Sequence, residues 1–169
     1  MKQEKERDIS ALESDFTAVL NKVIKLLSEQ TDESFDREIR PGAWTIGQLA
    51  WHVVRATRDM SESPTQKSTR QYDKYVNQIE DVFLNDNVRL VAPEALIPEL
   101  RKYKVEEVVR ELRSNLEAGK KIIKEKDLTE QVIDNELPGW GFLTRYEWIK
   151  LMTYHVTRHT NQLIGYLAR

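Results

Sequence analysis

Apolar residues recur along this chain at intervals of three and four, and four segments hold that interval long enough to predict amphipathic helices. The first runs from about Ser10 to Ser28, with Leu12, Phe16, Val19, Leu20, Val23, Ile24 and Leu27 on one stripe. Ser10 and Glu13 have the spacing of a capping box at its start. The second opens after Pro41, Gly42, Ala43 and Trp44. There Thr45 and Gln48 form a second capping-box pair, Trp44 and Leu49 fit a hydrophobic staple, and Ile46, Leu49, Val53, Ala56 and Met60 make the stripe. The third spans about Val105 to Lys124 on Val108, Val109, Leu112, Leu116, Ile122 and Ile123, with Gly119 as a weak point inside it. The fourth opens at Thr144, paired with Glu147, and carries Trp148, Leu151, Met152, Leu163 and Tyr166 toward the C-terminus.

Between the second and third helices the pattern loosens. Tyr72, Tyr75, Val76, Ile79, Val82 and Phe83 keep helical spacing and predict a short helix. From Val88 to Tyr103, Pro93 and Pro98 block a regular helix and predict an extended cover over one end of the bundle. The chain shows no convincing strand pattern. The expected fold is therefore all-α: a single domain over residues 1–169, built as a four-helix bundle with a long link (short helix plus extended segment) between helices two and three.

Two histidines interrupt the apolar stripe of the fourth helix. His155 and His159 stand four residues apart, so both project from one face. The remaining histidine of the chain, His52, lies on the core side of the second helix, three residues past Leu49. If the helices pack face to face, three neutral imidazoles meet at one point and can hold a transition metal with positions left open. The ordinary alternative is a set of hydrogen-bonded core histidines, and spacing alone leaves both in play. Each ligand would need an acceptor for its second ring nitrogen; Asp59 and Gln162 are candidates. No glutamate adjoins His155, so the H-E-x-x-H pattern of zinc proteases is missing. Asp59 and Glu147 are better taken as surface and cap residues than as acid–base groups. Arg55 and Arg158, one turn after His52 and His155, are candidates to bind the carboxylate of a small cofactor, with surface or salt-bridge roles as the alternative.

Bulk composition narrows the partners. Lys+Arg 26 against Asp+Glu 28 gives a net charge of -2, which argues against nucleic acid as a partner. Lys120, Lys121, Lys124 and Lys126 are the solvated end of the third helix. Cysteine is absent, which excludes disulfides, cysteine zinc sites and a cysteine nucleophile. No apolar run reaches membrane-spanning length, and the mixed-charge stretch from Met1 to Arg7 has no secretory character. A soluble cytoplasmic protein with a small-molecule substrate is the expectation.

Taken in order, the run from Pro41 through Trp44, Thr45, Gly47 and Trp51 to His52, the approach from Leu137-Pro138-Gly139 through Leu143-Thr144 to Glu147-Trp148, and the late run Tyr154-His155-Val156-Thr157-Arg158-His159-Thr160-Asn161-Gln162-Leu163 resemble the DinB/YfiT-like superfamily. The resemblance covers most of the chain. It implies a four-helix bundle with a long link, often a homodimer, with a divalent metal, zinc or nickel, on His52, His155 and His159. It also implies a choice of activity. Relatives include transferases that use bacillithiol or a similar low-molecular-weight thiol, thiol-dependent isomerases, and proteins labelled metal-dependent hydrolases. A thiol transferase acting on electrophilic small molecules is the first expectation. A hydrolase using metal-bound hydroxide and a non-catalytic, stress-associated bundle are the others, since a fold does not fix a reaction.

Overall fold

The computed structural model describes residues 2–168, and the side chains of residues 8–168; the stretch from Met1 to Arg7 lies outside the described side chains. Helix α1 runs Lys2–Ser28. It starts well before Ser10, so the Ser10/Glu13 pair lies inside the helix and caps nothing. Lys, Gln, Glu and Arg dominate the preceding residues, and their helix propensity continues the element. A single turn, α2 (Asp32–Phe35), follows. Helix α3 is Ile46–Ala56, and its Thr45/Gln48 capping box is present: Gln48 N–H donates to Thr45 Oγ1 at 3.1 Å, and Thr45 N–H donates to Gln48 Oε1 at 2.9 Å. It stops at Ala56, short of Met60.

The link holds strand β1 (Thr65–Gln66), the expected short helix α4 (Val76–Phe83) and a 3-10 turn at Glu94–Leu96. Helix α5 (Val105–Glu125) then leads into strands β2 (Gln131–Leu137) and β3 (Gly141–Thr144), and β3 runs directly into helix α6 (Arg145–Leu167). At 1.5 Å per residue α6 is about 34 Å long. Thr144 and Glu147 form its capping box.

Helices α1 and α3 each pack against both α5 and α6, which closes a four-helix bundle around Phe16, Leu20, Leu112, Ile149 and Leu163. The all-α expectation is nevertheless wrong. Among the described residues there are six α-helices and a three-stranded antiparallel sheet in the order β1-β2-β3. Its register pairs Thr65 with Val132, Gln131 with Thr144, and Leu137 with Gly141. The pattern concealed it because only Val132 on β2 is fully buried, and Asp134, Asn135 and Glu136 carry little strand propensity. The β2–β3 turn uses Gly139 and Gly141 at φ of 86° and 69°, which suits residues without a Cβ. The sheet matters for function because it sets where α6, the helix with two histidines, begins.

Candidate metal centre

The capping box of α3 fixes the start of one histidine-bearing helix and that of α6 the start of the other. Packing α3 on α6 then brings His52, His155 and His159 together. His155 is the hub. Its Nε2 lies 3.1 Å from His52 Nε2 and 2.8 Å from His159 Nε2. Bond lengths of roughly 2.0–2.1 Å to one zinc-sized ion give donor separations of about 2.9 Å at a right angle and about 3.3 Å at the tetrahedral angle. Both contacts of His155 lie close to that range, and the three ligand atoms all lie within 4.8 Å of one another.

The second nitrogens show why the site suits a cation. His52 Nδ1 donates to the Leu96 carbonyl at 2.9 Å. A carbonyl can only accept, so the proton sits on Nδ1 and the Nε2 lone pair faces the shared point. His159 Nδ1 donates in the same way to Gln162 Oε1 at 2.8 Å. His155 has at most one Nε2 proton to offer two facing lone pairs. One contact is left with lone pair against lone pair, and a bound cation removes that conflict. The donor set is therefore compatible with a divalent metal, and imidazole donors suit zinc, copper, iron or nickel rather than magnesium or calcium.

Burial keeps the rings neutral. It pushes His52 below the ordinary imidazole value, with the Leu96 bond partly opposing it. It pushes His155 well below, reinforced by His159, His52 and Arg158. His159 falls to about 4, through burial first and His52 second. Neutral imidazole is the ligating form. Trp44 packs on His52 with ring centroids 5.2 Å apart, and Phe83 packs edge-on to His155 at 5.3 Å.

A profile of the DinB superfamily matches residues 15–163, a span that contains all three histidines and both capped helix starts. The chain belongs to the DinB superfamily. One similar protein is the uncharacterized protein YrdA of Bacillus subtilis (strain 168), 53% identical over 32 residues. That aligned stretch spans 19% of this chain and 19% of YrdA. No solved structure matches.

The other candidate residues of this DinB chain lie as follows. Gln162 is the acceptor for His159. Asp59 accepts from Ser61 N–H instead. Glu147 is fully buried in an ion pair with Arg70 and belongs to the α6 cap. Arg55 and Arg158 both turn to the link. Arg55 donates to the carbonyls of Ala95 and Ile97 and pairs with Glu99, while Arg158 donates to those of Phe83, Asn85 and Val88. Sequence reasoning missed the Leu96 carbonyl, since any residue type supplies a backbone oxygen. It also missed the contacts of Trp44 and Phe83, although Phe83 had shown itself on the stripe of the short helix.

Proposed function

We propose that His52, His155 and His159 hold a divalent metal and that the centre serves a transferase, which joins a low-molecular-weight thiol to an electrophilic small molecule. The observation that carries this reading is the convergence of three imidazole nitrogens whose second-nitrogen bonds at His52 and His159 turn lone pairs inward. When bound, such a cation supplies Lewis acidity that keeps a thiol deprotonated near neutral pH. The protein's part is to hold the ligands neutral, orient them and keep an apolar wall of Trp44 and Phe83 beside them. In the transfer a sulfur–carbon bond forms, the leaving group departs with its electron pair, and the thiol proton passes to solvent. The engagement of Glu147 supports a thiol over a water nucleophile: its two oxygens accept from Arg70, Tyr75 N–H and Thr144 N–H, so it is not placed to act as a base. Arg55 and Arg158 would reach a carboxylate on the thiol only by releasing link carbonyls.

Elemental analysis of protein purified without a histidine tag, beside His155→Ala, tests the metal. Near-stoichiometric zinc or nickel in the wild type and none in the variant is the expected result; none in either defeats the proposal. The reaction is tested with a chromogenic haloarene, whose consumption is expected to require added thiol. Ester turnover without thiol would replace the transferase by a hydrolase.

A further inference from the structure

The Leu96 carbonyl that orients His52 sits between two carbonyls gripped by one side chain. Arg55 Nη1 donates to Ala95 O at 3.1 Å and to Ile97 O at 2.9 Å, so one guanidinium nitrogen spans the residue whose own carbonyl points the other way, to His52. Arg55 follows His52 by three residues on α3, which places both groups on one helix face. The guanidinium is itself anchored, because Arg55 pairs with Glu99 and Tyr103 Oη donates to Glu99 Oε2 at 2.8 Å. Around the 3-10 turn at Glu94–Leu96, Glu94, Ala95 and Ile97 are exposed and Leu96 is partly buried, so apart from buried Pro98 just beyond it and its packing on α3 the turn relies on these polar contacts.

We propose that Arg55 is a positioning residue for the metal centre: by gripping Ala95 O and Ile97 O it holds Leu96 O on His52 Nδ1–H, which fixes the tautomer that aims Nε2 at His155 and His159. This rests on the metal-binding reading for its functional meaning, but the tautomer exists without metal and can be read without it. Arginine suits the task because its planar, multiply donating head reaches two carbonyls at once; lysine offers a single point charge. Arg158 grips the other end of the link, at Phe83, Asn85 and Val88, away from the His52 acceptor. Its loss would loosen the link without touching the Leu96 carbonyl directly.

The experiment is long-range proton–nitrogen spectroscopy of histidine-labelled, chelator-treated protein, with the His52 signals assigned from His52→Gln. In the wild type His52 is expected as a single Nδ1–H tautomer. In Arg55→Ala its nitrogen shifts are expected to move toward a mixture of tautomers, and zinc affinity to fall by about tenfold or more. Arg55→Lys should restore part of both, and Arg158→Ala should leave the His52 shifts in place. Unchanged His52 shifts in a folded Arg55→Ala protein overturn the proposal. So do equal changes in Arg55→Ala and Arg158→Ala, which would trace the effect to general loosening of the link. If Arg55→Ala does not fold, Arg55→Lys is compared with wild type and judged by the same shifts. Should the wild type take up no zinc, the metal-binding reading falls, and the metal-free tautomer alone decides the role of Arg55.

Discussion

His155 occupies the middle of the triad, and its burial has a consequence that does not require metal. An unfolded histidine binds a proton near pH 6.5, whereas folded His155 and His159 resist protonation, His159 down to about 4. Between those values the unfolded chain binds more protons than the folded one, so stability must rise with pH. It is fully present above about pH 6.5 and is lost as pH falls toward 4. Urea unfolding of metal-free protein at several pH values across this window should show that slope, and His155→Ala should flatten it. Equal slopes in the two proteins would mean that His155 does not contribute to the acid sensitivity. A second residue-scale expectation concerns Gln162, which holds His159 Nδ1–H. Gln162→Leu should weaken zinc binding by roughly 10- to 100-fold, measured by competition with a chelating dye. Much of this site was legible beforehand. The i, i+4 pair and the acceptor three residues on are helical regularities, and His52 showed itself by standing on an apolar stripe. The acceptor of His52 was not legible, because it is a backbone atom brought in from another part of the chain.

Helix starts and sheet pairing show where local signals suffice and where they fail. Thr45/Gln48 and Thr144/Glu147 act as capping boxes because the chain before each has non-helical geometry, with Thr45 at ψ 165° and Thr144 at ψ 161°. Ser10/Glu13 has the same spelling inside continuous helix, so spelling alone cannot distinguish the two cases. The β1–β2 pairing was invisible for another reason: Thr65 pairs with Val132, and no window of neighbouring residues contains that contact, whereas the local β2–β3 hairpin was hidden by the polar run Asp134, Asn135 and Glu136. Gly119 is a position where the local rule points the wrong way. Alanine should favour the helix by about 0.8–1 kcal/mol. Yet a Cβ there would lie 2.4 Å from Cε1 and 2.6 Å from Cζ of Phe16, which is itself fully buried. Overpacking of this kind costs about 1–3 kcal/mol, and this approach is severe. Gly119→Ala is therefore expected to lower the midpoint of chemical unfolding despite its better propensity. A raised midpoint would show that α1 can move away from α5 at little cost.

At the scale of the whole molecule, the link reaches the histidine cluster through Leu96 O and Phe83, and a buried ion pair ties it down. Arg70, in the link, meets Glu147, in the first turn of α6, through two hydrogen bonds of 2.8 and 2.7 Å. The same arginine reaches the Phe142 carbonyl of β3 at 3.0 Å, and Glu147 also takes the Tyr75 N–H at 2.9 Å. Link, sheet and the helix bearing His155 and His159 thus share one junction. Glu147 is fully buried while the Arg70 side chain is 17% exposed, so deleting the arginine strands a carboxylate that water reaches poorly. Breaking a buried pair from one side costs about 3–5 kcal/mol, and the partial exposure of Arg70 points to the lower end. Arg70→Ala should then lose about 3 kcal/mol in urea unfolding, far more than Lys104→Ala, whose pair with Asp32 is mostly exposed. A double-mutant cycle with Glu147→Gln separates the junction from the cap: if the ion pair is the tie, the loss in the double variant falls well short of the sum of the two single losses. Additive losses, or an Arg70→Ala cost no larger than that of Lys104→Ala, would mean that the link is held to α6 by packing alone.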